Sequence, residues 1–205
     1  MQGFSPAAPG CATALSPTIR AMKNRLLCTL VLCLLGALTT GPREALAQSA
    51  ARTPDVYYDP TPEVVVDQAV SLAGVRAGDL FYDLGCGDGR TVIAAVKAGA
   101  RGVCVDIDPV RIRESRANAV AVGVASRIRF VEGDLFTVPI ADATVVFVFL
   151  WPDLNLKLRP RLWSELKPGT RVVSYVHNMG DWAPRETLKV QGRYGQRELY
   201  LWTIN

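Results

Sequence analysis

A glycine-rich segment between a strand and a helix constrains the fold of this chain more than any other feature. Residues 83–89 read DLGCGDG, directly after the strand-like residues 80–82 and directly before the helical residues 91–97. Glycine at every second position removes the β-carbons where a backbone must approach another group closely. The segment therefore predicts a loop, at the carboxyl end of a strand, that is built for close contact with a ligand.

The spacing of the glycines in this loop distinguishes between the possible ligands. A dinucleotide-binding loop has the pattern G-x-G-x-x-G, which lets a pyrophosphate lie against a helix N-terminus, whereas this loop reads D-x-G-x-G-x-G. The carboxylate of Asp83 would repel a pyrophosphate but would attract an ammonium or sulfonium group. S-adenosylmethionine (SAM) carries both groups. Asp106 ends a second predicted strand about twenty residues further on, where a carboxylate accepts ribose hydroxyls. The pattern thus predicts SAM and disfavours an NAD oxidoreductase.

Taken in order, these acidic and glycine positions resemble those of the class I SAM-dependent methyltransferases. The likeness extends from Tyr57 to the C-terminus, and the family's adenine-side acid matches Asp134, after a third predicted strand. The resemblance implies that SAM is the cofactor and that six residues bind it, namely Asp83, Gly85, Gly87, Gly89, Asp106 and Asp134. The alternative is that the three acids are turn residues at strand ends, where Asp is common.

Four further segments carry a narrower likeness. They are residues 57–62 (YYDPTP), 85–90 (GCGDGR), 154–158 (LNLKL) and 167–174 (KPGTRVVS), with Trp182 beyond. Together they are similar to the protein-lysine methyltransferases that act on the mitochondrial adenine nucleotide translocase and on the c subunit of ATP synthase, and to their bacterial relatives. This resemblance implies a protein substrate with a target lysine. The chain departs from it at His177, where an aromatic such as phenylalanine is expected.

The remaining pattern alternates strands and helices. It predicts helices over 62–73, 89–98, 109–122 and 154–166, strands over 79–84, 102–107, 128–132, 143–150 and 171–176, and a hairpin of 187–194 with 197–204. A break or kink is expected at Pro160, which lacks the N–H of a helix interior. The fold class is therefore α/β, a Rossmann-like doubly wound sheet that is mostly parallel with an antiparallel terminal strand.

The N-terminus has the three parts of a secretory signal peptide. Met22 begins a basic start, residues 26–40 form a short apolar run, and residues 45–47 (ALA) form a small-residue cleavage site. The apolar run fits a signal core better than the ~20 residues needed to span a bilayer. We expect residues 1–47 to be a leader, 48–54 a linker and 55–205 the methyltransferase domain. The protein would then be exported or periplasmic; the alternative is an uncleaved leader that anchors it to a membrane.

Charge and cysteine content narrow the choice of partners. The leader holds four of the 23 basic residues and one of the 19 acidic ones, which leaves 19 basic and 18 acidic residues in the rest. No basic stripe is evident, so no nucleic-acid partner is expected. Outside the leader only Cys86 and Cys104 remain, and these are interpreted as packing thiols. One histidine and no cysteine pair at ligand spacing predict no metal site.

Four residues are candidates for handling the methyl acceptor. Trp151 follows the fourth predicted strand and supplies an apolar rim, although it could equally cap the core. Tyr57 and Tyr58 precede the first helix and could line a narrow channel for a lysine side chain, one of them being functional. His177, after the fifth strand, could accept the proton that lysine loses before attack, or could be structural. All four are candidate catalytic residues. A small-molecule methyltransferase and a non-catalytic SAM-binding module remain as alternatives.

Overall fold

The computed structural model of the chain describes residues 57–205. The predicted leader (1–47), the linker (48–54) and the predicted start of the domain at residue 55 lie outside the described residues. The helices are α1 (Glu63–Leu72), α2 (Arg90–Lys97), α3 (Pro109–Ala121) and α4 (Pro152–Glu165), with a short 3-10 turn at Ala125–Arg127. The strands are β1 (Leu80–Leu84), β2 (Arg101–Asp106), β3 (Ile128–Glu132), β4 (Val145–Val148), β5 (Arg171–Tyr175), β6 (Glu186–Gly192) and β7 (Gly195–Thr203).

The seven strands form one sheet in the order β3-β2-β1-β4-β5-β7-β6. The first five strands in this order run parallel to one another, whereas β7 runs antiparallel to both β5 and β6. The predicted fold class, mostly parallel with an antiparallel terminal strand, is confirmed. The chain leaves β1 toward β2 on one side and later adds β4 on the other. The carboxyl ends of β1 and β4 therefore flank a topological switch point, which is where such sheets bind ligands.

Each face of the sheet carries its own hydrophobic core. Side chains of α1, α2 and α3 pack with Phe81 and Phe147 on one face, and α4 packs with Tyr82 and Val146 on the other. Neighbouring residues of one strand thus serve opposite faces, as the period of a strand requires. All four residues of β4 are buried, which explains why this strand is a continuous apolar run in the sequence. The core fixes the strand ends from which the candidate site is built.

Helix α4 passes through Pro160 as a single element, so the break considered from the sequence does not occur. A proline in a helix frees the carbonyl four residues earlier, which here is that of Leu156. Both Pro160 and Leu156 lie on the exposed side of the helix, where solvent can satisfy that carbonyl. Among residues 57–205, none of the helices has the length and apolar content needed to cross a membrane.

Candidate cofactor and acceptor sites

A cavity of about 290 Å³ opens at the carboxyl ends of β1, β2 and β4. Five of the six residues predicted to bind the cofactor line it: Asp83, Gly85, Gly87, Asp106 and Asp134. Tyr57 and Tyr58 form another part of its wall. We refer to this space as the cofactor cavity. Its acidic residues are distant in the sequence but meet here because the parallel strands end at the same edge of the sheet.

The glycines of the loop leave room for the protein's own atoms. A β-carbon on Gly87 would lie 2.4 Å from Cε2 of Tyr58, and one on Gly89 would lie 2.8 Å from Cβ of Ser115. Both glycines have positive φ, 53° and 81°, a region that other residues rarely adopt. Gly89 does not line the cofactor cavity, since it joins the loop to α2 and packs on α3. Gly87 instead lies directly beneath the ring of Tyr58.

Asp83 is the most strongly perturbed acid of the site. Its side chain is buried, and its Oδ2 atom has no hydrogen-bond partner within the protein. Burial, reinforced by the nearby Asp106, raises the pKa of Asp83 to about 8. An unsatisfied carboxyl oxygen in a buried position is costly, so this atom is suited to a cationic partner. The ammonium or sulfonium group of SAM would provide that partner, and the residue therefore fits the cofactor.

Asp106 and Asp134 hold their loops by accepting backbone hydrogen bonds. Asp106 accepts one from the N–H of Gly87 and one from the N–H of Asp108, both at 2.9 Å. Burial raises the pKa of Asp106 above its ordinary value. Asp134 accepts a bond from the N–H of Phe136 at 2.8 Å. Each oxygen of Asp106 uses one backbone donor, and a carboxylate oxygen can accept a second bond, so the pair of ribose hydroxyls fits this group.

Tyr58 is fixed over the glycine loop by charged neighbours. Its hydroxyl donates a hydrogen bond to the carboxylate of Asp88, and the guanidinium of Arg111 lies 4.5 Å from the centre of its ring. Burial alone would raise the pKa of Asp88, but hydrogen bonds from Arg90 outweigh it and lower the pKa. Arg90 also donates to the carbonyl of Thr61 at 3.1 Å. These contacts fasten the segment before α1 to the loop, so that Tyr58 covers one side of the cofactor cavity.

A second cavity of about 390 Å³ adjoins the first. The two share lining residues from the segment before α1 and from the end of β4: Tyr57, Asp59, Pro60, Phe149 and Leu150. The remaining lining is largely aromatic or basic and comes from the residues next to α1, the start of α4, the end of β5 and the β6–β7 hairpin: Pro62, Trp151, Tyr175, Val176, His177, Arg193, Tyr194 and Arg197. We call this space the acceptor cavity. Its position beside the cofactor cavity suits a group that receives something from the cofactor.

Trp151 and His177, two of the candidate catalytic residues, lie together in the acceptor cavity. Their rings are stacked, 6.3 Å apart at an angle of 18°. Burial lowers the pKa of His177 below its ordinary value, which favours the neutral imidazole. Trp151 is 60% exposed and Tyr57 is 94% exposed, so both stand at the rim. The reading of Trp151 as a cap of the core is wrong, since its side chain faces the cavity mouth.

Sequence reasoning missed the hairpin side of the acceptor cavity. Arg193 reaches across to Asp59 at 3.5 Å, and Tyr175 packs against Phe149 with 4.7 Å between ring centres. Tyr175 is the last residue of β5, so its place at a strand end was a usable signal. The hairpin tip follows no such rule, because its approach to the segment before α1 depends on the twist of the whole sheet.

The interpretation of the two cysteines as packing thiols is wrong. Cys86 and Cys104 form a disulfide, with their Cα atoms 5.3 Å apart and 18 positions between them in sequence. Strand pairing explains the proximity, because Asp83 of β1 lies opposite Cys104 of β2. The bond joins the glycine loop to the strand that carries Asp106. Within residues 57–205, no cluster of three His, Cys, Asp or Glu side chains could hold a metal ion.

Comparison with known proteins places this geometry in a family. A family model described as the ANTKMT methyltransferase domain matches residues 83–186. A protein-lysine N-methyltransferase of Saccharolobus islandicus is 45% identical over 153 residues, which are 74% of this chain and 95% of that protein. The adenine nucleotide translocase lysine N-methyltransferase of Mus musculus is 34% identical over 58% of this chain. The aligned part is 52% of the mouse protein, so the chain spans about half of that relative.

A solved structure is also similar. It is described as an RNA methyltransferase from Salinibacter ruber in complex with S-adenosyl-L-homocysteine. The two structures superpose with a TM-score of 0.68 at 48% sequence identity, over 71% of this chain and 94% of that one. The described substrates of these relatives therefore differ, one being a protein lysine and the other RNA.

Proposed function

Because the chain belongs to the family of the ANTKMT methyltransferase domain, we propose that it is a SAM-dependent enzyme that methylates the side-chain amine of a lysine in a protein. When bound, SAM supplies an electrophilic methyl group on a sulfonium centre. Asp83 would pair its unsatisfied buried oxygen with the cationic end of the cofactor, Asp106 would accept the ribose hydroxyls, and Asp134 would lie at the adenine. The protein's remaining task is to align a nucleophile and to exclude water.

The observation that carries the lysine assignment is the adjoining acceptor cavity. Its aromatic walls, Tyr57, Phe149, Trp151 and Tyr175, suit the four-carbon stem of a lysine side chain. An apolar channel disfavours the charged ammonium and lowers the pKa of the amine, whose unperturbed value is ~10.4. Arg197 at the hairpin acts in the same direction, since neighbouring positive charge disfavours another. The cavity thereby favours the neutral amine, which is the form that can attack a methyl group.

RNA is the second candidate acceptor, because the Salinibacter relative is described as an RNA methyltransferase. Charge favours protein over RNA. Beyond residue 47 the chain holds 19 basic and 18 acidic residues, whereas a protein that binds RNA usually presents a strongly basic surface. At the acceptor cavity itself, the positive charge of Arg193 is paired with Asp59.

The acceptor class is tested by following the methyl group. The full chain is incubated with SAM labelled in the methyl group and with a lysate, and the products are divided by sensitivity to protease and to ribonuclease. The lysine proposal predicts label in protease-sensitive material that yields methyl-lysine on acid hydrolysis. Label that ribonuclease releases would establish RNA instead. Label in low-mass compounds would establish a small-molecule enzyme, and no transfer with intact SAM binding would establish a binding module.

We also propose that the protein works outside the reducing cytoplasm. Two features support export: the signal-peptide pattern from Met22 onward, and the Cys86–Cys104 disulfide, since disulfides persist mainly in oxidising compartments. Alkylation of free thiols in freshly lysed cells, followed by mass spectrometry, tests this. Export predicts an unalkylated, bonded pair and a mature N-terminus near Gln48. A reduced pair in the cytoplasmic fraction, on a chain that retains its leader, would contradict it.

A further inference from the structure

Val176 has a backbone conformation that valine rarely adopts. Its φ is +70°, and it is the only non-glycine residue with positive φ within residues 57–205. A β-branched side chain in this region is strained, because its Cβ crowds the following carbonyl. Such strain persists only where the surroundings fix the backbone in more than one way, and it is commonly found at functional sites. The residue after Val176 is His177, at the acceptor cavity.

Backbone hydrogen bonds define the turn around Val176. The N–H of His177 donates to the carbonyl of Tyr175 at 2.9 Å, across a single residue, which together with the positive φ describes a γ-turn. The N–H of Val176 itself donates to the carbonyl of Glu198 on β7 at 2.8 Å. The chain thus reverses direction immediately at the end of β5 instead of continuing the strand.

Two buried side chains hold the far side of this turn. The carbonyl of His177 accepts a hydrogen bond from Oγ of Ser174 at 2.6 Å and another from Nδ2 of Asn155 at 3.0 Å. Asn155 and Ser174 are both fully buried, and they also contact each other at 3.2 Å. Asn155 belongs to α4 and Ser174 to β5. The backbone of His177 is therefore tied to two separate elements at once.

The consequence of the turn is the direction of the His177 side chain. The imidazole lines the acceptor cavity and stacks on Trp151. The charged and titratable groups that line the same cavity are Asp59, Arg193 and Arg197, together with the hydroxyls of Tyr57, Tyr175 and Tyr194. Asp59 is paired with Arg193. His177 is therefore the group of this cavity best suited to accept a proton from an amine, because its neutral imidazole has an unprotonated ring nitrogen.

We propose that Asn155 and Ser174 are positioning residues, which hold the strained turn at Val176 so that His177 accepts the proton of the incoming lysine ammonium. This inference rests on the proposed lysine acceptor. The proton moves from Nζ of the substrate to a ring nitrogen of His177, the lone pair of Nζ becomes free to attack, and the imidazolium then releases the proton to water. Asn155 and Ser174 are buried and do not line the acceptor cavity, so they do not touch the substrate in this scheme.

The position of His177 can be measured directly, because the chain contains a single histidine. The full chain without an affinity tag gives one set of imidazole signals in a proton NMR titration. For Asn155→Leu and Ser174→Ala, we expect the pKa of His177 to move back toward its ordinary value as the ring leaves the cavity. Thr170→Val is the matched control: it removes another buried hydroxyl, at the opposite end of β5, which donates to the carbonyl of Ala143, and should leave the titration unchanged. Ser174→Ala is the milder variant if Asn155→Leu does not fold.

Kinetic measurements then show whether His177 is a general base or only lines the acceptor cavity. Removing a general base typically costs 10²–10⁴-fold in rate, so His177→Ala should lower kcat on a lysine substrate by about a hundredfold, with unchanged SAM affinity. Free imidazole should restore part of this activity. Asn155→Leu should lower kcat at least about tenfold, because the ring is no longer held at the acceptor cavity.

The NMR titration and the kinetic measurements test different parts of the proposal. A kcat for His177→Ala within twofold of the wild type would overturn the proton-acceptor role, and an unchanged His177 titration in both positioning variants would overturn the positioning role. A wild-type chain that methylates no lysine would overturn the proposed function. The NMR arm would still report on the turn in that case, because it needs no acceptor.

Discussion

Replacing Asp83 by asparagine should stabilise the unliganded protein and weaken its binding of SAM. In the wild type, the folded pKa of Asp83 is about 8, against 3.8 for an exposed group. A folded pKa that is raised favours the protonated form in the fold. The contribution of this group to stability is therefore complete below pH 3.8 and is lost as the pH rises toward 8.

The size of the effect follows from linkage. Each unit of pH within this window removes about 1.4 kcal/mol from the free energy of unfolding. Between pH 5 and 7.5 the wild type should lose about 3 kcal/mol through Asp83, as an order of magnitude. Asparagine has nearly the same shape and does not titrate, so the variant should not show this loss. The difference between the two proteins isolates Asp83 from the other acids.

Urea unfolding at several pH values measures this difference, and calorimetry with SAM measures the other half of the prediction. The affinity of the wild type for SAM should rise with pH up to about 8, because the cation requires an ionised Asp83. The variant should bind at least tenfold more weakly, with no such pH dependence, since it lacks a charge-assisted contact of ~1.5–3 kcal/mol. Equal pH slopes of unfolding for the two proteins would refute the raised pKa. Equal SAM affinities would refute the role assigned to the unsatisfied oxygen.

Three further changes probe the same region. Asp106→Ala should weaken SAM binding at least tenfold, because each hydrogen bond to a charged group contributes ~1.5–3 kcal/mol. The control is Glu132→Ala, which changes an acid at the exposed end of the neighbouring strand. Equal calorimetric affinities of Asp106→Ala and the wild type for SAM would contradict the ribose role of Asp106. Gly87→Val should abolish SAM binding by displacing Tyr58, whose ring lies 2.4 Å from the new Cβ. Gly123→Val is the control and should not affect SAM binding, because Gly123 also has a positive φ but no atom lies near its Cβ position. Reduction of the disulfide, which closes a loop of 18 positions, should lower the free energy of unfolding by about 3 kcal/mol. Thermal unfolding with and without reductant measures this, and the stability of the control variant Cys86→Ala should not change when reductant is added. A wild-type protein whose stability reductant does not alter would count against the bond.

The cofactor side of the site could be predicted from sequence because its residues follow local rules. Asp83, Asp106 and Asp134 each come after an apolar run, and the carboxyl ends of parallel strands meet at one edge of the sheet. The sheet order places all three in one cavity. The hairpin was predictable for a similar reason, since alternating residues flank Gly195.

The acceptor side could not be predicted in the same way. The tip of the hairpin meets Asp59 through a contact between residues 134 positions apart, which no local pattern encodes. The strained turn at Val176 was equally hidden, because valine argues against positive φ and the turn depends on hydrogen bonds with Asn155, Ser174 and Glu198. The disulfide was missed because two cysteines in one domain carry no pairing information until the strand register is known.

Delivery of a neutral lysine amine from the acceptor cavity to the cofactor cavity is the central step of the proposed reaction. It is tested most directly by incubating the full chain with SAM and a protein that the chain methylates, and by locating the methyl group with tandem mass spectrometry before and after the modified residue is changed to arginine. We predict a methyl group on Nζ of one lysine, complete loss of modification in the arginine version, and a rate that rises with pH as the free amine becomes available. Modification that persists in the arginine version, or a methyl group on any atom other than a lysine Nζ, would contradict this step.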